Sequence, residues 1–208
     1  MNPSLSEARA RVAVALDVAT LREATAFVRD VREHVGVAKV GLELFVKYGP
    51  EAVRAVRAEG MPEVFLDLKL CDIPETVRRA VAAARELGVA FLTVHAAGGA
   101  RMLRAAQEEA GEDLKVLAVT VLTSMGADDL AELGVSVAPA AQADRLMALA
   151  WEAGVRGFVR SPLEAAALRA RREGALLVTP GVRPAGSEAG DQTRIATPRE
   201  AIRAGADL

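Results

Sequence analysis

The octapeptide Asp67–Pro74, DLKLCDIP, places three charged side chains, Asp67, Lys69 and Asp72, within a few residues of one another. Asp67 and Lys69 close an apolar run, Val64-Phe65-Leu66, that reads as a buried strand. Standing two apart on extended backbone, both would point to one face. Opposite charges at the end of a buried strand are costly to desolvate and persist when they are paired or in use. A lysine between Asp67 and Asp72 is held in its charged form by its neighbours. It therefore suits delivery of a proton to a developing carbanion, and a Schiff-base role, which needs the free amine, is disfavoured. Pro74 stops the strand and can open a helix at its first position.

The elements that must carry these residues follow from short aliphatic runs alternating with Ala/Arg/Glu-rich stretches. Strands are expected at 12–17, 37–42, 63–69, 89–95, 114–122, 155–160 and 175–179, and Ala206-Asp207-Leu208 resembles the start of an eighth. Helices are expected from Thr20, a candidate N-cap, to about His34, and then over 45–59, 74–87, 98–110, 128–133, 139–153, 162–173 and 198–204. Aliphatic runs that do not alternate with polar residues indicate strands covered on both faces. Their alternation with helices indicates parallel βα units. The expected fold is α/β: one (β/α)8 TIM-barrel domain over 1–208, with strand eight and a final helix beyond the last residue. A doubly wound open sheet is the alternative, but no GxGxxG follows the first strand.

In such barrels the active site lies at the C-terminal ends of the strands. The polar exceptions fall there repeatedly: Asp17, Lys39, Asp67 and Lys69, His95, Thr123-Ser124, and Thr179-Pro180-Gly181 with Arg183 close behind. No Ser-His-Asp order, HExxH or cysteine-rich metal spacing is present. The 26 basic and 28 acidic residues are mixed along the chain, so no basic stripe offers itself to nucleic acid. No run approaches the length of a membrane span, and charges near the N-terminus interrupt any signal-peptide core. The lone Cys71 excludes an internal disulfide framework and fits a reducing, cytoplasmic compartment. Several groups read as structural: His34 at a helix end, His95 as a hydrogen-bonding group beside the site, Asp128-Asp129 at a helix start, and Trp151 in packing. Arg169-Ala170-Arg171-Arg172 reads as a solvated helix face.

These motifs together resemble the orotidine 5'-phosphate decarboxylases over nearly the whole chain. The matching stretches are ALD at 15–17, KVGLELF at 39–45, DLKLCDIP at 67–74, VHAAGG at 94–99, LTS at 122–124 and TPGVRPAGSEAGDQTRIATP at 179–198. The resemblance implies a cofactor-free, metal-free decarboxylation of orotidine 5'-monophosphate to UMP in pyrimidine biosynthesis. It assigns catalysis to Lys69, Asp67, Asp72 and Lys39, with Lys69 protonating C6 and Asp67 beside the substrate carboxylate. Asp17 and Lys39 would hold ribosyl hydroxyls, and Thr123 and Ser124 the ribose and the pyrimidine edge. Arg183 and Gln192 would grip the phosphate, in and beside a loop over 184–193, and Pro180 would contact the substrate. Asp72, Ile73 and Thr76 would reach into the neighbouring site of a homodimer. Cys71 stands where the family commonly has His, and a Gly-Arg phosphate pair after strand eight is absent from these residues. The alternatives are a metal-dependent sugar-phosphate barrel, such as an epimerase or hexulose phosphate synthase with a cation among Asp17, Asp67 and Asp72, and a non-catalytic nucleotide-binding barrel.

Overall fold

The computed structural model describes residues 4–184 and 196–208. Seven parallel strands form one sheet in strictly sequential order: β1 (Ala13–Ala15), β2 (Val37–Val40), β3 (Glu63–Leu70), β4 (Phe91–His95), β5 (Lys115–Val119), β6 (Gly157–Val159) and β7 (Leu176–Val178). A doubly wound sheet reverses its strand order at a switch point. No reversal occurs here, and the sheet is a curled, singly wound barrel wall.

The helices are α1 (Leu5–Ala10), α2 (Leu21–Val31), α3 (Leu42–Tyr48), α4 (Pro50–Ala58), α5 (Pro74–Glu86), α6 (Gly99–Ala110), α7 (Ala127–Glu132), α8 (Pro139–Glu152), α9 (Pro162–Arg171) and α10 (Pro198–Arg203). Thr20 caps α2 as expected: its hydroxyl accepts from the Glu23 amide while the Glu23 carboxylate accepts from the Thr20 amide. The helix expected over 45–59 is two helices. Gly49 at φ 55 ends α3, and Pro50 starts α4. Glycine adopts that left-handed turn without penalty and proline supplies a first-turn residue that needs no amide donor. The second strand stops at Val40 because Leu42 already belongs to α3. Helix α1, capped by Ser4, was not expected from the apolar pattern; no residue in it is buried.

Alternation along the strands divides the apolar residues between two cores. Val37, Phe65, Leu117 and Val178 fill the barrel interior with Phe91, Val159, Leu176 and Leu208. The opposite faces, including Ala38, Val64, Leu66, Leu92, Val94 and Leu177, pack against helix residues such as Val28, Val56, Val81, Leu103 and Leu168. Both faces are thus buried, as the unbroken aliphatic runs require.

Residues 206–208 pair with β7. Leu208 donates to the Leu177 carbonyl at 3.1 Å and accepts from the Thr179 amide at 2.8 Å. Asp207 accepts the Leu177 amide on its carboxylate at 2.8 Å. Arg11, just ahead of β1, donates to the carbonyls of Ala206 and Asp207. The last residues are therefore tied to both edges of the sheet. Arg169 corrects the reading of a solvated 169–172 face: it donates to the Ala175 and Gly205 carbonyls and to Asp207. Spacing along α9 could not reveal partners 36 and 38 residues away.

Candidate active site

The C-terminal ends of the first three strands bring four charges into one alternating row. Lys39 Nζ lies 3.6 Å from Asp17 Oδ1 and 3.6 Å from Asp67 Oδ2. Lys69 Nζ donates to both oxygens of Asp67, each at 2.9 Å. The order is carboxylate, ammonium, carboxylate, ammonium. Depth is graded along it: the side chain of Asp67 is 14% exposed, Lys39 23%, Lys69 35% and Asp17 76%. The innermost carboxylate is the one held by both lysines, which is the arrangement a partly desolvated charge requires.

Asp67 and Lys69 meet by a route that differs from the extended-strand expectation. Lys69 has φ 49, the one positive value for a non-glycine among the described residues. The β3–β4 register runs Leu66 opposite Leu92 and then Leu70 opposite Val94, so Asp67, Leu68 and Lys69 face Thr93 alone. This bulge, rather than period-two alternation, turns the Lys69 side chain back onto Asp67. A bulky residue held in this region of backbone space is a form of strain found at functional sites.

Thr93 is the residue that sequence reasoning missed. It is fully buried in β4. Its hydroxyl accepts from the Lys69 amide at 2.9 Å and donates to Asp67 Oδ1 at 2.8 Å. The available signal was a single hydroxyl within the otherwise apolar Phe91–Val94 run, on a strand covered on both faces.

His95 ends the same strand, and its Nδ1 accepts from the Ala97 amide at 3.4 Å, as a structural hydrogen-bonding role implies. Burial, and then the nearby charge of Lys69, push its imidazole below the ordinary 6.5. The neutral ring is thereby favoured beside the lysine.

The remaining expected residues stand apart from this row. Asp72 is exposed beyond β3, its carboxylate accepting the Ile73 amide at 2.6 Å; Ile73 and Thr76 are also exposed. With Pro74 and the 98–101 segment, Asp72 and Ile73 line a groove of about 460 Å³. Thr123 and Ser124 lie in an exposed turn after β5, closed by the Met125 amide on the Leu122 carbonyl. Pro180 follows β7 and is half-buried. Arg183 is bridged through its amide to Ala196, and its guanidinium donates to the Val182 carbonyl at 2.9 Å. Gln192 and the rest of the expected 184–193 loop beyond Pro184 lie outside the described residues. Trp151 packs as expected, stacked on Phe158 with the Arg156 guanidinium 4.0 Å from its ring centre. Asp129 caps the start of α7 through the Gly126 amide at 2.7 Å. Among the described residues no group of three His, Cys, Asp or Glu side chains is placed to hold a metal ion, and no helix is long and apolar enough to cross a membrane.

Comparison with known proteins agrees with the fold. The chain is 55% identical over 199 residues to the orotidine 5'-phosphate decarboxylase of Anaeromyxobacter sp. (strain K), covering 95% of this chain and 87% of that protein. It is 50% identical over 200 residues to the enzyme of that name from Thermobifida fusca (strain YX), covering 96% and 85%. The crystal structure of orotidine 5'-phosphate decarboxylase from Lactobacillus acidophilus superposes with a TM-score of 0.82 at 34% identity, over 95% of this chain and 88% of that one. The one from Pyrococcus horikoshii OT3 gives 0.74 at 25% identity, over 94% and 86%. A sequence model of the orotidine 5'-phosphate decarboxylase / HUMPS family matches residues 10–208, and the chain belongs to that family.

Proposed function

We propose that this protein decarboxylates orotidine 5'-monophosphate to UMP, with Lys69 as the proton donor. The observation that carries the reading is the Asp17–Lys39–Asp67–Lys69 row at the strand ends, in which the Lys69 ammonium is fixed on Asp67. Relatives at 50–55% identity carry the decarboxylase name. Cleavage of the bond between C6 and the carboxylate releases CO2 and leaves the electron pair on C6. The Lys69 ammonium stabilises that charge as it develops and passes one proton to C6; solvent then reprotonates the amine. Lys69 spends two of its three ammonium donors on Asp67, which leaves one for the reacting carbon.

Asp67 takes the place beside the departing carboxylate, and Asp17 and Lys39 the ribosyl hydroxyls. Thr123 and Ser124 serve the ribose and the pyrimidine edge. Arg183 and Gln192 serve the phosphate, whose binding, remote from C6, supplies energy for the step at C6, and Pro180 contacts the substrate.

The protein acts as a homodimer in this reading, with Asp72, Ile73 and Thr76 completing the partner's site. Supporting it, Asp72 is exposed past the end of β3, and Ile73, Leu42 and Val46 remain 67%, 52% and 80% exposed after the ends of the adjacent strands β3 and β2. Burying such apolar surface against a second copy is favourable.

The family name also covers HUMPS, so a metal-dependent sugar-phosphate reaction is the reading to test against. The Lys39 ammonium stands between Asp17 and Asp67, and the Lys69 ammonium takes both oxygens of Asp67, where a divalent cation would have to sit. An ultraviolet assay of orotidine 5'-monophosphate loss in EDTA separates the two. Turnover is expected to persist with chelator and to fall at least about 100-fold in Lys69→Ala. Turnover of a sugar phosphate that EDTA abolishes, with none of the nucleotide, would overturn the proposal.

A further inference from the structure

We propose that Thr93 is a positioning residue for the reaction: its hydroxyl locks the backbone of Lys69 and the carboxylate of Asp67 into one relation, and so sets where the Lys69 ammonium stands. The inference rests on the decarboxylase reading for its kinetic half, while its structural half stands on geometry alone.

Three residues of β3 bulge opposite one residue of β4, and that residue is Thr93. A bulge disrupts the local ladder and leaves backbone groups to find other partners. Here the Lys69 amide takes the Thr93 hydroxyl at 2.9 Å. A hydroxyl has one proton and two lone pairs. With one lone pair accepting from the Lys69 amide, its proton is directed to Asp67 Oδ1, 2.8 Å away. The bond on one side thus orients the bond on the other. Thr93 is 0% exposed, so water does not compete for either partner. Its β-branched side chain has restricted rotamers in a strand, which fixes the hydroxyl further.

The consequence is that Lys69 is anchored at both ends. Its ammonium is held by Asp67, its amide by Thr93, and Asp67 itself by Thr93. Without the hydroxyl, the left-handed Lys69 loses the partner that offsets its backbone strain, and the ammonium can wander by the fraction of an ångström that matters for proton transfer. The residues proposed for the ribose, Asp17, Lys39, Thr123 and Ser124, make no bond to the Thr93 hydroxyl, and Lys39 meets the other oxygen of Asp67.

The test uses the whole chain as wild type, Thr93→Val, Thr93→Ser and Thr93→Ala, with melting curves to establish folding. Steady-state decarboxylation gives kcat and KM, and amide hydrogen exchange of Lys69 by NMR reports the anchor without reference to activity. Thr93→Val is expected to lower kcat by roughly 10–100-fold with KM within about threefold, and Thr93→Ser to stay within about threefold of wild type. The Lys69 amide is expected to exchange at least about tenfold faster in Thr93→Val than in wild type or Thr93→Ser. Thr93→Ala carries the same expectation should the valine variant not fold. Wild-type kcat in the variants lacking the hydroxyl overturns the proposal, as does an equal loss in Thr93→Ser, or a rise in KM alone. A wild-type chain without decarboxylase activity overturns the functional reading instead. The Lys69 exchange rates then decide whether Thr93 is the anchor, and unchanged exchange in Thr93→Val says that it is not.

Discussion

Lys69 carries a backbone conformation that costs an L-residue roughly 1–2 kcal/mol, and its compensations are the Thr93 hydroxyl and the two bonds to Asp67. The charge it brings is felt at His95, where it acts after burial in favouring the neutral imidazole. Because the folded-state value lies below the unfolded one, the unfolded chain takes up this proton first as the pH falls. The group therefore contributes stability that is fully present above 6.5 and is lost as the pH falls through the lower folded-state value. An NMR titration of the imidazole should find His95 titrating below 6.5. In Lys69→Ala it should move up part of the way, since burial, the larger cause, remains. No movement would place the ammonium too far away to matter to the ring.

At the scale of elements, short strands depend on close backbone approach. β6 has three residues, and its first, Gly157, lies so near β5 that an added Cβ would stand 2.5 Å from the Val116 carbonyl oxygen and 2.6 Å from Leu117 Cδ2. One contact is backbone inside the β5–β6 ladder and cannot rotate away. Gly157→Ala should therefore cost about 3 kcal/mol, toward the upper end for overpacking a core, read as a lowered urea midpoint with unchanged slope. A midpoint within error of wild type would mean the two strands can separate freely. Elements were legible where periodicity and punctuation agreed, as at Thr20 before α2 and Pro74 before α5. The break between α3 and α4 was also written in the chain, as Gly49-Pro50, but continuous apolar spacing on either side masked it.

At the scale of the whole molecule, the proposed dimer makes a prediction that no single subunit can satisfy. Lys69→Ala and Asp72→Asn should each be nearly inactive alone. Mixed under conditions of subunit exchange, they should recover activity, because a heterodimer contains one site with neither lesion; random pairing limits the recovery to about one quarter of wild-type activity. No recovery after exchange has been demonstrated by mass would remove Asp72 from the partner's site. The groove beside Asp72 and the exposed Ile73 are where the second copy would seat.

The sequence by itself determined the parallel βα alternation, the strand-end placement of Asp17, Lys39, Asp67 and Lys69, and the family. Each of these is written in local pattern or in short motifs with fixed spacing. Only the tertiary structure decided how those charges meet. The bulge that turns Lys69 onto Asp67 arises from register between β3 and β4, and Thr93 joins the site across 24 and 26 residues of chain. Likewise Arg169 and Arg11 find the 205–207 segment through partners that no local periodicity encodes. Period and propensity act over a few residues, whereas hydrogen-bond satisfaction in a buried site is settled between strands, after the sheet has chosen its register.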